Sequence, residues 1–526
     1  MNLIKIYSDR VQIKTDAARL KSLKINDLLL LSDKSTSIVC VVTGLVGNDP
    51  LEVYDFDQEL LGMTESNNTI DCGIIGSINS SGKFTKSIDI YPTTNATVDV
   101  VSEEMFASML HDQLAQCIKL GKYASYDADA WIDGNKLFQR HFAIVGNTGS
   151  GKSYAVTSFL EKAADRKGAN IILFDLHGEY SGLDFVKTVK IGNGGLDFPM
   201  WFLPFKDLYN SILRLKDESA TLQLAALRKA YCSARSSDTG EDAPIAYNIE
   251  SVLESLQAEN EEQVSTGEVY KIGDKAGLPK TVKGDNNGKL TSLCMLLQDK
   301  LTDTRFAFMS RNNPQQYLYK FTDTIFGIDE KSIKVIDLSD VPSDVRPTLI
   351  AVITKLVYSI QLQQEREEAT PLTIVCEEAH TYIPSSDFSL GASQRRLLEI
   401  FEIIAKEGRK FGTTLCVVTQ RPSELNRTIM AQCANFIVLK MTNESDKSMM
   451  ASVIPESNRN VIDALSLFMP GDCLVLGDSA EIAVKINIDL PSQPPNSATI
   501  STWDIWKNKG NVDVSALVSK LIADGR

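Results

Sequence analysis

A chain of 526 residues is about three to four times the length of an average domain of about 150 residues, which excludes a single small core. Hydrophobic residues at 43% and charged residues at 23% exclude a disordered or collagen-like polypeptide. A net charge of −14 repels polyanions at long range, so any nucleic-acid contact must be confined to a local basic surface.

The N-terminal MNLIKIYSDR has no basic stretch followed by a long apolar core. The longest apolar run, near Ile38 to Val46, falls far short of the roughly 20 residues of a membrane span, so a soluble, cytoplasmic protein is expected with no membrane partner. Nine scattered cysteines without a CxxC pair predict reduced thiols, and four histidines at no zinc-site spacing argue against structural zinc.

In chain order, residues 1–105 read as short strands (LIKIYS, DLLLLS, SIVCVVTGLV, LEVYDF, IDCGIIGSI, KSIDIYP and ATVDVV) separated by turn signals, which predicts a small barrel or sandwich. Glu103 to Tyr123 carries apolar residues at helical spacing and predicts a helix. Phe142 to Gly146 is an apolar strand, followed by a Gly-rich turn, a helix, and a second strand at Ile171 to Asp175, which opens a βαβ unit. Helical patterns then occupy Leu208 to Tyr231, Ile249 to Asn260 and Leu290 to Leu301, with exposed loops between Ser233 and Gly288. Strands return at Ile333 to Leu338, Leu372 to Cys376, Thr414 to Thr419 and Phe436 to Lys440, alternating with helices at Pro347 to Glu367 and Ser393 to Phe411. After Leu490 the chain reads as an extended proline-containing tail and a short helix.

The sharpest chemical signal is Gly146-Asn147-Thr148-Gly149-Ser150-Gly151-Lys152-Ser153, a complete GxxxxGK[ST] match between a strand and a helix, with Tyr154 next in that helix. Its glycines let backbone N–H groups turn around phosphate, Lys152 reaches the outer phosphates, and the Ser153 hydroxyl ligates Mg²⁺. ATP and Mg²⁺ are the implied substrate and metal. The strand Leu372 to Cys376 ends in Glu377 and Glu378, a pair suited to the metal shell and to activation of the attacking water. The strand Thr414 to Thr419 ends at Gln420, whose amide senses the γ-phosphate if the strands are neighbours, and is otherwise a turn residue.

Arg140-His-Phe-Ala-Ile-Val-Gly-Asn-Thr-Gly-Ser-Gly-Lys-Ser, Asp175-Leu-His-Gly-Glu-Tyr180, Ile374-Val-Cys-Glu-Glu-Ala-His380, Glu407-Gly-Arg-Lys-Phe-Gly412 and Thr419-Gln-Arg-Pro-Ser423 stand in the order found in the HerA-type ATPases, of the HerA/FtsK branch of P-loop motors. The resemblance covers essentially the whole chain. It implies an α/β fold: a RecA-like P-loop core over 106–198 and 321–490, an N-terminal β-barrel similar to the HAS barrel over 1–105, a helical insertion over 199–320 and a tail over 491–526. It further implies a homo-hexamer with ATP sites between subunits that drives DNA through a central channel. By the same resemblance Glu377 joins the metal shell, Glu378 is catalytic and Gln420 senses phosphate. Arg409, with Arg421 as second choice, is the candidate trans arginine finger, and Arg140 is a further arginine able to approach phosphate, each against the alternative of a surface ion pair. Asp175, His177 and Glu179 either order the site or form a structural turn.

Lys271, Lys275, Lys280, Lys283 and Lys289 form a local basic stretch that either grips DNA phosphates or is a solvated loop. The resemblance to the HerA-type ATPases implies two functional readings. One is an ATP-driven DNA translocase or helicase working with a separate effector, a NurA-type or other nuclease or a sirtuin-like NADase, in DNA-end repair or antiviral defence. The other is a nucleotide-stabilised ring scaffold that activates such an effector, with translocation secondary.

Overall fold

The computed structural model describes residues 1–34, 36–47, 52–54, 60–63, 68–111, 116–215, 220–235, 240, 242–271, 277–365, 367–385, 390, 392–454, 462–497, 501–507, 510 and 512–524. The N-terminal part contains β1 (Asn2–Ile6), β2 (Arg10–Thr15), α1 (Ala17–Ser22), β3 (Leu28–Ser32), β4 (Ser37–Val46), β5 (Glu52–Tyr54), β6 (Leu60–Met63), β7 (Asn68–Ile78), β8 (Phe84–Thr85) and β9 (Thr97–Val100). Seven of these strands form one antiparallel sheet in the order β1-β2-β7-β4-β3-β9, with β8 on β7, while β5 and β6 pair with each other. The period-2 alternation of a strand explains why DLLLLS and SIVCVV are apolar without interruption. Leu29, Leu31, Ile38, Cys40 and Val42 face a small core of the sheet's own. Leu28, Val39 and Val41, on the other face, join the main core of the molecule.

Two sequence expectations fail in this region. KSIDIYP forms no strand; at its start the Lys86 ammonium donates to the carbonyls of Gly477 (2.5 Å) and Ala480 (2.6 Å). The helix expected over Glu103 to Tyr123 is only α2 (Glu103–Met109), capped by the Ser102 hydroxyl, and the chain returns as the strand β10 (Cys117–Tyr123). Pairing on both sides overrides the helical spacing: β10 lies between β11 (Asp129–Asp133) and the late strand β22 (Lys485–Ile488). Gly121 permits that approach, since a Cβ there would stand 2.0 Å from the Asn487 carbonyl oxygen.

The core continues through α3 (Gly134–Phe138), β12 (Phe142–Val145), α4 (Lys152–Ala164), β13 (Ile171–Asp175) and β14 (Val186–Lys190). It resumes with β17 (Ile333–Asp337), α11 (Arg346–Gln363), β18 (Leu372–Cys376), α12 (Ala392–Glu407), β19 (Thr413–Thr419), α13 (Arg427–Gln432), β20 (Asn435–Val438), α14 (Glu444–Val453) and β21 (Asp472–Gly477), followed by β22. These strands make an 11-stranded sheet in the order β11-β10-β22-β21-β20-β12-β19-β18-β13-β17-β14. From β20 to β14 neighbouring strands are parallel, and β12, β13, β17, β18, β19 and β20 are buried along their whole length. Burial on both faces is why they read as continuous apolar runs, and the order of the parallel strands places the ends of β12, β19, β18 and β13 side by side.

Between β14 and β17 lie α5 (Phe205–Asp207), α6 (Thr221–Arg235), α7 (Ile249–Asn260), the ribbon β15 (Gln263–Val269) with β16 (Pro279–Lys283), α8 (Thr291–Thr302), α9 (Ala307–Ser310) and α10 (Gln316–Phe326). The ribbon corrects the expected loop: Val264 faces Val282 across the pair, and every residue of β15 is exposed. Lys280 and Lys283 belong to β16, Lys271 and Lys289 stand exposed in the flanking segments, and Lys275 lies outside the described residues. After β22 come α15 (Thr502–Trp506) and α16 (Val514–Asp524).

Candidate nucleotide site

The residues from Gly146 to Ser153 connect the end of β12 to the start of α4. Gly149 (φ 76°) and Gly151 (φ 92°) occupy left-handed backbone conformations that only glycine adopts freely. At Gly146 a Cβ would collide with the Ser150 Oγ at 2.7 Å and the Leu439 Cβ at 2.8 Å. The loop is anchored on both sides: the Gly146 N–H donates to the Thr419 carbonyl (3.3 Å), the Asn147 N–H to the Lys440 carbonyl (2.9 Å), and the Asn147 amide to the Thr442 hydroxyl (2.7 Å). Tyr154 follows in the first turn of α4, half-buried.

Strand order brings the other candidates to this loop. β19 lies between β12 and β18, so Gln420 stands between the phosphate loop and the two glutamates. The Thr148 hydroxyl donates to the Gln420 Oε1 at 2.5 Å. The Lys152 ammonium, 8% exposed, donates to the Glu378 Oε1 at 3.1 Å and lies 3.8 Å from the Glu377 Oε1. Burial pushes the Glu377 carboxyl up to about 8 despite the opposing pull of Lys152, and Glu378 adds to the rise. Glu378 itself adopts φ 46°, ψ 43°, a strained conformation for a residue with a Cβ. That turn aims its carboxylate at Lys152 and brings its Oε2 within 3.3 Å of the His380 Nδ1. His380 in turn meets the Thr419 hydroxyl at 3.2 Å, and the Tyr382 hydroxyl donates to the Glu377 carbonyl at 3.0 Å.

Several buried polar atoms at this site accept no hydrogen bond from the protein: the Asn147 Oδ1, the Ser150 Oγ, the Glu377 Oε2 and the Glu378 Oε2, the last with only the ion-pair contact to His380. Orphaned polar atoms around a glycine cradle fit a nucleotide phosphate chain, and carboxylate oxygens with the Ser153 hydroxyl fit Mg²⁺, which takes one or two protein oxygens and fills its sphere with phosphate and water. Among the described residues no group of three or more His, Cys, Asp or Glu forms a metal cage of its own.

The arginines separate. Arg421 is at the glutamate end, where its guanidinium pairs with Glu424 (2.8 Å) and its N–H donates to the Thr419 hydroxyl (3.0 Å). Arg140 and Arg409 precede β12 and β19 and stand at the opposite end of those strands, so neither meets the phosphate loop of its own chain. Together they line a cavity of about 1040 Å³ between the N-terminal sheet and the core, where Arg140 pairs with Asp478 (3.3 Å). Asp175 is a turn anchor: its carboxylate accepts the N–H groups of His177, Gly178, Glu179 and Tyr180 at 2.9–3.2 Å. Sequence reasoning singled out none of Thr419, Thr442 or Tyr180 as a site residue. Thr419 and Tyr180 lie inside the TQRPS and DLHGEY segments, while Thr442 carries no sequence signal.

Residues 118–357 match the family described as "Helicase HerA, central domain". The DNA double-strand break repair helicase HerA of Sulfurisphaera tokodaii is 25% identical over 407 residues, covering 76% of this chain and 74% of that protein. A probable helicase of Methanocaldococcus jannaschii is 25% identical over 367 residues, 69% of this chain, and the match spans just under two thirds of its length, 65%. Among solved structures, VirB4 of Thermoanaerobacter pseudethanolicus aligns at 16% identity and a TM-score of 0.49 over 73% of this chain and 98% of that one, a likeness too distant to add to the assignment. The motifs, their placement at the ends of parallel strands and the family match together mark the chain as a P-loop ATPase whose residues 118–357 match the HerA central domain.

Proposed function

We propose that this chain couples ATP hydrolysis to movement along DNA, as a translocase or helicase that works in a homo-hexameric ring with a separate effector. The observation that carries the reading is the convergence of Lys152, Glu377, Glu378 and Gln420 on one phosphate loop. Gly146 to Ser153 hold the phosphates, Ser153 and Glu377 hold Mg²⁺, Glu378 orients and deprotonates the attacking water, and Gln420 reports the γ-phosphate through Thr148. Mg²⁺ supplies neutralisation of the phosphate charge when bound. DNA as the track is supported by the name of the Sulfurisphaera relative, a DNA double-strand break repair helicase.

The ring reading is supported by the arginines. Arg140 and Arg409 are remote from their own phosphate loop, as a group serving a neighbour's γ-phosphate must be, with Arg421 as the alternative. The exposed ribbon with Lys271, Lys280 and Lys283 is the candidate DNA grip in an acidic chain, with Lys275 and Lys289 beside it in sequence. It is sequence-independent, since lysines on phosphates carry no base information. The effector is a nuclease or an NADase acting in DNA-end repair or antiviral defence. The domains proposed are a barrel over 1–105, a RecA-like core over 106–198 and 321–490 with its insertion over 199–320, and a tail from 491.

The test measures ATP hydrolysis with and without duplex DNA. Wild type is expected to hydrolyse ATP faster with DNA, Lys152→Ala to lose nucleotide binding, and Glu378→Gln to bind ATP while turning over about 10²–10⁴-fold more slowly. A wild-type protein without ATPase activity, alone or with DNA, would sink the motor reading. A Glu378→Gln variant that still activated its effector would favour the ring scaffold.

A further inference from the structure

The DLHGEY turn sits beside the two glutamates, and its last two residues have polar atoms with nowhere to go. Tyr180 is 0% exposed, and its hydroxyl makes no hydrogen bond of normal geometry. That hydroxyl faces the Ser153 side chain and lies within the electrostatic field of Glu377 and Glu179. The Glu179 Oε2 is likewise buried and unpartnered, and its carboxylate acts on Glu377. Asp175 cannot be the reason for this convergence, because backbone N–H groups occupy both of its oxygens.

The charge balance points the same way. Glu377 and Glu378 share one ammonium, Lys152, with His380 beside Glu378, while Glu179 adds a further carboxylate next to Glu377. Buried carboxylates in excess of their cations are costly: they take up a proton, as the rise of Glu377 to about 8 shows, unless a further cation joins them. A phosphate chain brings only negative charge, so when it is bound the cation suited to these carboxylates is the divalent metal ion that accompanies it. A tyrosine hydroxyl buried against a serine and a carboxylate is the kind of outer partner that fixes how such ligands point.

We propose that Glu179 and Tyr180 are positioning residues of the divalent-metal site, a role beyond the phosphate-loop, glutamate and glutamine assignments. Tyr180 holds the Ser153 hydroxyl and the Glu377 carboxylate in ligating orientation, and Glu179 supplies an outer carboxylate for water bound to the metal. The proposal rests on the ATP·Mg²⁺ reading of the site and deepens it.

The experiment titrates Mg²⁺ against binding of a fluorescent ATP analogue in the full-length protein, comparing wild type, Glu179→Gln and Tyr180→Phe, each nearly isosteric. Both variants are expected to raise the half-saturating Mg²⁺ concentration by about 10-fold, as loss of an outer partner does, while binding in EDTA stays at the wild-type level. Unchanged half-saturation in both variants overturns the proposal, and so does a fall in melting temperature alone, which would make the turn merely structural. If wild type binds no nucleotide under any condition, the ATP reading itself falls. Binding in wild type with unaltered Mg²⁺ dependence in the variants removes only the positioning role.

Discussion

His141 shows how far one side chain's protonation state can be dictated by its surroundings. It is buried beside the start of β12, and its Nδ1 accepts the Leu415 N–H at 2.9 Å, which it can do only while that nitrogen carries no proton. Burial is the main cause that lowers its pKa to about 4; the carbonyls of Ala405 and Ile404 oppose the fall, and the Arg409 guanidinium adds to it. The sign follows from linkage. Between about pH 4 and 6.5 the unfolded chain binds a proton at this histidine that the native state refuses, so stability rises with pH through that window and is lost as pH falls. Each tenfold weakening of proton binding in the native state is worth about 1.4 kcal/mol, so the contribution is about 2–4 kcal/mol. In His141→Asn the amide oxygen can still accept the Leu415 N–H, and this component of the acid sensitivity is expected to vanish. Urea unfolding of wild type and variant at pH 7 and pH 4.5 checks this: an equal loss of stability in both proteins would refute it.

At the level of elements, the DLHGEY turn is built around a single carboxylate that replaces the missing partners of four consecutive N–H groups. Asp175→Asn keeps the Oδ1 acceptor but sets an NH₂ against the Tyr180 N–H, leaving buried donors unpaired at a cost of about 1–3 kcal/mol. Thermal melts are expected to show that loss, with weaker Mg²⁺-dependent ATP binding because Glu179 and Tyr180 hang from the turn; a variant as stable as wild type would contradict it. The sequence left Asp175 open between site ordering and a structural turn, since the motif is local but the direction of its carboxylate is not. The same division runs through the chain. The phosphate loop and the ends of β18 and β19 were legible because each is a short segment in which local chemistry decides: Gly at positive φ, Lys at the first turn, carboxylates after an apolar strand. β10 was not legible, because Ile118 and Leu120 suit a helix or a strand equally, and the choice is made by β22, more than 350 residues later in the chain. The ribbon β15–β16 escaped for the opposite reason: with no buried face, its sequence is under no pressure to alternate.

Across the whole molecule, the end of the chain returns to the site it began from. After β22, Ser492 bonds to Glu161 of the phosphate-loop helix α4, Gln493 to Asp184, and the Asn496 N–H donates to the Glu179 carbonyl at 2.8 Å. Residues 492–496 are therefore a strap across α4 and the turn that carries Glu179 and Tyr180. Beyond the strap, α15 and α16 expose Trp503, Trp506, Leu521 and Ile522, with no described part of this chain covering them. Gln493→Ala removes both bonds to Asp184, whose N–H donates to the Gln493 Oε1 at 2.7 Å. Net hydrogen bonds of this kind contribute about 0.5–1.5 kcal/mol each, so the strap should loosen without the core unfolding. Hydrogen exchange read by mass spectrometry is expected to show faster exchange over residues 179–186 and unchanged exchange in β12 and β18, with a raised half-saturating Mg²⁺ concentration. Wild-type exchange over residues 179–186 would show that the tail merely lies against the turn, and the coupling between the chain's end and its nucleotide site would have to be abandoned.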